Sequence, residues 1–169
     1  MAASYRAAQL CFLLSSFVVA QTAASPVKTD EQPAETLLIL QMGACERQCP
    51  VYRIILFSDG SGIFEGRYLV RRPGLLRLKT SREQLGKLML EASSLYDLPG
   101  RFAPNEQTSG GGACESPQSD APTAILTIGT RSRTKTILHY RGCVGADADR
   151  LKQFEDRIIA TSGAAKSIR

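Results

Sequence analysis

Residues 51–68, VYRIILFSDGSGIFEGRY, carry the clearest folding signal in this 169-residue chain. Two runs rich in β-branched and aromatic residues, 51–58 and 62–68, lie on either side of Asp59-Gly60. An Asp-Gly pair between such runs favours a β-hairpin, because the tight turn needs residues that accept a positive φ. The sequence therefore predicts two antiparallel strands joined at this turn.

Further strands and two helices are predicted on both sides of the hairpin. The apolar run 36–42 precedes it, the segment 69–80 follows it, and 123–129 with 134–141 forms a second hairpin after a long loop. Ser81 with Gln84 is a capping-box pattern at the start of one helix, and apolar residues from Leu151 to Ile159 recur at the spacing of a last helix. We expect an α+β fold in which a mostly antiparallel sheet of about five to six strands has two helices packed on one face.

The N-terminus has the pattern of a secretory signal peptide. Arg6 precedes the apolar run 10–20, and small residues follow it, so that cleavage is expected after Ala20 or Ala24. The run is too short to cross a bilayer, and we expect no transmembrane anchor after processing. The expected organisation is a signal peptide (1–24), a flexible leader (25–35), a single α+β domain (36–162) and a frayed tail (163–169). The protein is thus expected to be exported, to the periplasm or the medium.

The composition excludes several kinds of active site and binding partner. Without residues 1–24 the chain has 20 Lys and Arg against 16 Asp and Glu, a net charge of +4, and it keeps one histidine. A single histidine excludes a His-rich metal site and any mechanism that needs two histidines. We expect neither a metal site nor a cofactor, and we assign no catalytic residue. A modest charge, export and sparse aromatic residues also argue against nucleic acid as a partner.

Four cysteines remain after processing: Cys45, Cys49, Cys114 and Cys143. An even number in a small exported domain predicts a disulfide framework. We favour the pairs 45–49 and 114–143, while 45–143 with 49–114, or the reverse, stays open. A thiol-disulfide enzyme usually places Cys-x-x-Cys at a helix N-terminus. Here the spacing is one residue longer and Pro50 leads into a strand, which favours structural disulfides.

Basic residues are concentrated in two regions. Residues 66–82 hold six Lys or Arg and no acid. In the second hairpin, basic residues share one parity, which would place them on one face of a strand. They are Arg131, Arg133, Lys135, His139 and Arg141. This set is a candidate binding face for an anionic envelope polymer, a lipid headgroup or an acidic protein, and the alternative is a solvated face balanced by nearby acids.

The string CERQCPVY (45–52), followed by Asp59-Gly60 and Glu65-Gly66, is similar to a family of small exported bacterial domains of unknown function. The resemblance covers residues 36–160 and extends to Asp120, ahead of the second hairpin, and to a last helix with Leu151, Phe154, Glu155 and Ile158. The chain lacks the tryptophan typical of the family's C-terminal end. The resemblance implies this fold and an envelope location, and it implies no activity.

These observations predict an exported, non-catalytic, disulfide-stabilised module that binds or scaffolds a component of the cell envelope. One alternative is an envelope enzyme, either a thiol-disulfide catalyst using Cys45 and Cys49 or a hydrolase using Asp120 and His139. No Gly-x-Ser-x-Gly motif supports a serine hydrolase. Another alternative is a secreted enzyme inhibitor, by analogy with other small stapled domains. Asp120 is kept as a possible polar site.

Overall fold

The computed structural model describes residues 34–104, 114 and 117–169. The predicted signal peptide, and the leader as far as residue 33, lie outside the described residues. The described ranges belong to one compact unit, Pro33–Arg169. The elements, in chain order, are β1 (Thr36–Met42), β2 (Val51–Phe57), β3 (Ser61–Tyr68), β4 (Gly74–Lys79), α1 (Arg82–Ser93), β5 (Arg101–Phe102), β6 (Thr123–Gly129), β7 (Thr134–Tyr140), α2 (Ala146–Thr161) and α3 (Ala165–Ile168).

The strands form one sheet in the order β4-β3-β2-β1-β6-β7-β5. All neighbours are antiparallel except β5, which runs parallel to β7. Both predicted hairpins are present, as β2–β3 and β6–β7. The sheet therefore has β4 at one edge and the two-residue β5 at the other.

The predicted fold class is wrong in its element count and in its sheet type. The described residues form a mixed sheet of seven strands with three short helices, in place of the expected mostly antiparallel sheet of about five to six strands with two helices. Strand β5 is only two residues long, and it forms through a long-range pairing of Arg101 with Leu138. The local sequence pattern therefore does not predict this strand. The residues after Gly163, expected as a frayed tail, form α3, in which Ser167 is buried.

The first hairpin forms for the reason that its sequence suggests. Gly60 has φ 86°, and a Cβ there would collide with the carbonyl oxygen of Thr80. Ser61 donates to a carboxylate oxygen of Asp59 from its backbone N–H, at 2.8 Å, and from its hydroxyl, at 2.6 Å. These two bonds hold the pKa of the Asp59 carboxyl below its ordinary value. The turn thus needs both residues of the Asp-Gly pair.

Alternate residues of the central strands face one hydrophobic core. In β2, for example, Tyr52, Ile54 and Leu56 are buried while their neighbours are half-buried. The apolar faces of α1 and α2 belong to the same core. The predicted capping box begins α1, since Gln84 N–H donates to Ser81 Oγ at 3.2 Å. This arrangement brings α2 against β7, where the candidate site lies.

Candidate functional site

A carboxylate lies in the interior between α2 and β7. Glu155 of α2 is fully buried, and its Oε1 lies 2.9 Å from Nδ1 of His139 in β7, which is also fully buried. A carboxylate only accepts, so Nδ1 carries the proton and donates it to this contact. Burial of a charge is costly unless the charge is paired, and the pairing here continues on the other oxygen.

Arg141 connects this buried carboxylate to the surface. Its Nε lies 2.9 Å from Oε2 of Glu155, at hydrogen-bond distance but without hydrogen-bond alignment, so the two act on each other chiefly through charge. Its terminal Nη2 donates to Oδ1 of the more exposed Asp156 at 2.7 Å. The Arg141 side chain is only 14% exposed. His139, Glu155, Arg141 and Asp156 therefore form one chain of contacts that runs outward from the core.

The other ring nitrogen of His139, Nε2, is buried and has no hydrogen-bond partner among the described residues. The ring packs edge-on against Phe102 of β5, with the centroids 6.0 Å apart. His139 is thus a core residue in a strand. Asp120 contacts Arg47 and His139 contacts Glu155, and no contact joins these two residues, which a hydrolase would have used, among those that the structure describes.

A pocket of ≈ 580 Å³ opens at the outer end of this contact chain. Its apolar walls come from the start of β2, the β3–β4 turn, α2 and α3: Pro50, Leu69, Ile159, Ala160, Ala165 and Ile168. Polar groups reach it from Tyr52, Arg141, Asp156 and Arg169. The lining is thus mixed, only slightly more apolar than polar, around a volume in the range of small-molecule sites.

Tyr52 contributes a neutral hydroxyl to this pocket. Burial raises the pKa of its phenol to about 12, and the positive charge of Arg141 acts in the opposite direction. The ring stacks on Phe64, with the centroids 5.8 Å apart. Since Tyr52 stays protonated at neutral pH, it can donate a hydrogen bond to a ligand and does not serve there as a general base.

The wall formed by the β3–β4 turn is held in an unusual conformation. Leu69, which lines the pocket, has φ 48°, a region that residues other than glycine seldom occupy. The backbone N–H of Arg72 donates to the carbonyl of Ser167 at 3.1 Å and ties the turn to α3. Strained backbone that neighbouring structure holds in place is found preferentially at binding sites.

The predicted anion-binding face is placed differently from what the parity alone suggests. The side chains do share one side of β7, but Ile137 and His139 on that side are buried, whereas Thr136 and Leu138 are not. Each of the five residues has a partner within the chain. Arg131 pairs with Glu35 at 2.9 Å, Arg133 lies 3.5 Å from the Tyr96 ring centroid, Lys135 donates to the Leu98 carbonyl, and His139 and Arg141 contact Glu155. They do not form one exposed row.

The cysteines form the favoured pairs, Cys45–Cys49 and Cys114–Cys143. Asp120, which has φ 59°, accepts the backbone N–H of Arg47 at 3.0 Å and pairs with its guanidinium at 3.3 Å. This contact joins the small loop closed by the first disulfide to the segment that precedes β6. Asp120 therefore has a structural role in connecting two loops.

Sequence reasoning missed the pocket, the part of Tyr52 in it and the role of Glu155. The one available signal was the position of Glu155 within the apolar stripe of α2, between Phe154 and Ile158, where an acid must find a buried partner. The pocket itself has no sequence signal, because its walls come from segments that are far apart in the chain.

No helix in ranges 34–104 and 117–169 is both long and apolar enough to cross a membrane. The described residues hold no group of three or more side chains suited to binding a metal ion. No curated protein and no solved structure matches the chain. Residues 36–162 match a domain of unknown function, DUF6438. The match spans the whole sheet, α1 and α2, and the chain therefore belongs to the DUF6438 family.

Proposed function

We propose that this protein is an exported, non-catalytic binding module of the cell envelope that holds an apolar group of its ligand in the pocket beside Arg141. The observation that carries this proposal is the pocket itself. Its ≈ 580 Å³ falls in the usual range for ligand sites, and most of its lining side chains are apolar. Transfer of an apolar group from water into such walls contributes about 25 cal/mol for each Å² buried.

The charge of Arg141 gives little reason to expect a simple anion in the pocket, and Arg169 is the other cation of its lining. Arg141 is already paired with Glu155 and Asp156, so its positive charge is balanced within the chain. Tyr52 adds an uncharged phenol. These groups can orient a ligand through hydrogen bonds, while the aliphatic walls provide most of the affinity.

Export is supported by the signal-peptide pattern of residues 1–24 and by two disulfides, which form and persist mainly in oxidising compartments. A fusion of residues 1–35 to a β-lactamase without its own signal should give ampicillin resistance to an expressing bacterium. The same fusion with Leu13→Arg and Leu14→Arg, which interrupt the apolar run, should not. If both fusions give equal resistance, or if neither fusion gives resistance, export by this segment is contradicted.

The pocket is tested with a neutral apolar fluorophore, N-phenyl-1-naphthylamine, titrated against the purified protein. Ala160 lines the pocket from an exposed position on α2, so Ala160→Phe should fill the space without disturbing the core. We expect at least a tenfold loss of probe affinity. Gln153→Phe, at an exposed position of α2 outside the pocket, is the matched control and should bind as the unchanged protein does. Equal affinities for both variants would refute the pocket as the binding site.

One observation favours a second function, thiol-disulfide exchange. Cys49 precedes Pro50, which lines the pocket, so the small disulfide loop lies beside a possible substrate cleft. A catalyst of this kind would accelerate the reduction of insulin by dithiothreitol, and Cys45→Ala with Cys49→Ala would abolish the acceleration. A binding module should not accelerate insulin reduction. If the variant without Cys45 and Cys49 still accelerates the reaction, this disulfide is not the catalyst.

A further inference from the structure

Large apolar side chains are exposed at few places in the described residues. They are Tyr68 (61% exposed), Leu69 (45%), Leu75 (73%) and Leu90 (76%). Three of the four belong to one segment, residues 67–79, which comprises the end of β3, the β3–β4 turn and β4. We call this segment the basic hairpin. Exposed apolar side chains that cluster in this way mark an interaction site more often than isolated ones do.

The same segment is the most basic part of the chain. No acid occurs between Glu65 and Glu83, whereas six Lys or Arg do. Four exposed cations of the basic hairpin make no ion pair with any described residue: Arg71, Arg72, Arg77 and Lys79. Arg67 is the exception and pairs with Glu65. Unpaired cations are therefore concentrated on this hairpin, whereas every basic side chain of the second hairpin has a partner. Outside both hairpins, the described cations without an ion pair are Arg82, Lys152, Lys166 and Arg169.

The geometry presents both kinds of side chain outward. Strand β4 is at the edge of the sheet and pairs only with β3. Leu76 and Leu78 pack against the core, so Leu75, Arg77 and Lys79 project from the opposite face of the strand. Tyr68 ends β3, and Leu69 follows it in the turn, which also holds Arg71 and Arg72. Exposed apolar side chains and unpaired cations thus occur together in this one edge segment of the sheet.

We propose that the basic hairpin docks the protein on a bilayer surface rich in anionic lipid headgroups. Tyr68, Leu69 and Leu75 enter the interfacial layer, and the unpaired arginines contact lipid phosphates, for which a guanidinium is suited. This inference goes beyond the proposed function, because it assigns a surface of attachment and holds even if the pocket binds nothing.

A lipid surface fits these residues better than an acidic protein does. A stable protein interface buries about 1,200–2,000 Å² and has few charges at its centre. The basic hairpin offers three apolar side chains mixed with cations, which is too little apolar area for such an interface. Interfacial attachment to lipid instead combines a small buried apolar area with electrostatic attraction to anionic headgroups.

The test is sedimentation of the full chain with vesicles of phosphatidylcholine alone or with 30% phosphatidylglycerol, at low and moderate salt. Binding to phosphatidylcholine alone measures the attachment that needs no anionic lipid, from the apolar N-terminal run and from the apolar side chains of the hairpin together. We expect at least tenfold tighter binding to the anionic vesicles, with a preference that falls as salt rises. No preference for anionic vesicles would overturn the proposal.

Two pairs of variants locate the surface. Arg71→Gln with Arg77→Gln should lower affinity for anionic vesicles about fivefold for each charge, whereas Lys87→Gln with Lys152→Gln removes the same charge from α1 and α2 and should have a smaller effect. Tyr68→Ser with Leu75→Ser should weaken binding at both salt concentrations, and the control Leu90→Ser should not. Equal losses in the hairpin and control variants would overturn the proposal.

Two further measurements separate the possible explanations. Thermal unfolding checks that each variant stays folded, and an unfolded variant is replaced by the single substitution Arg77→Gln, at an exposed position. A hairpin that is required for retention on a polyglutamate resin but not on vesicles would identify an acidic protein as the partner, against the proposal. If vesicles do not bind but the fluorophore still does, only the docking inference fails and the proposed function stands.

Discussion

In the Arg141→Met variant, the carboxylate of Glu155 stays fully buried and loses the cation that lies 2.9 Å from it. Removal of one partner from a buried ion pair costs about 3 to 5 kcal/mol, because an uncompensated charge remains in the interior. Methionine keeps much of the apolar stem, so little packing is lost. Arg141 is 14% exposed and His139 still donates to Glu155, so we expect the lower end, about 3 kcal/mol of unfolding free energy.

Removal of the other partner should cost much less. Glu155→Gln keeps the shape of the side chain and an oxygen that accepts from His139, while Arg141 keeps its contact with Asp156. The expected cost is about 1 kcal/mol, the contribution of an ordinary hydrogen bond. In the Glu155→Gln background, Arg141→Met should then add little, because no buried carboxylate is left unpaired.

Urea unfolding of the oxidised protein at pH 7, followed by circular dichroism, measures all four members of this double-mutant cycle. Equal slopes against urea concentration are required for the comparison of free energies. The coupling between the two substitutions should reach about 2 kcal/mol. If Arg141→Met costs the same in both backgrounds, the pairing of Arg141 with buried Glu155 is not what stabilises this region, and the reasoning is refuted.

Three further predictions follow from the fold. Replacement of Cys114 and Cys143 by alanine should lower the unfolding free energy by about 4 kcal/mol, because their disulfide closes a loop of 29 residues. Replacement of Cys45 and Cys49, whose disulfide closes a much shorter loop, should lower it by about 2 kcal/mol. Equal losses in urea unfolding would contradict this order. Gly60→Ala should cost about 1 to 3 kcal/mol, because φ is 86° and the new Cβ would meet Thr80, whereas Gly86→Ala, on the open side of α1, should be neutral or stabilising. Absorbance at 295 nm should show a phenol that ionises near pH 12 and that is missing in Tyr52→Phe. Because the pKa of Tyr52 is raised in the folded protein, the stability that this group contributes is present below about pH 10 and is lost as the pH rises through 12. A phenol titration near pH 10 for Tyr52 would contradict its burial.

Local sequence signals predicted the elements whose formation depends on neighbouring residues. Asp59-Gly60 and Ser61 are adjacent and make the turn by themselves, and Ser81 with Gln84 caps α1 within four residues. The pairing of β5 with β7 depends instead on a contact between segments more than thirty residues apart. Two residues have no periodicity to detect, so this strand and the mixed character of the sheet could not be predicted.

The same limit applies to the candidate site. The parity of residues 131–141 shows that their side chains share one side of a strand, but which side a helix covers depends on where α2 packs. Once α2 covers that side, His139 is in the core and Arg141 is held by Glu155. The run of six cations without an acid at 66–82 was visible in the sequence. Its exposure could be known only after β4 was placed at the edge of the sheet.

The position of α3 in the pocket wall, where the Arg72–Ser167 contact holds it, has a consequence for other members of the family. The match to DUF6438 ends at residue 162, whereas Ala165, Ile168 and Arg169 line the pocket from α3. Most of the residues that line the pocket thus belong to the matched domain, and the three from α3 and its end lie outside it. A member of the family with a different sequence after α2 would therefore have a differently shaped cleft on the same sheet, and the proposed ligand site would differ with it.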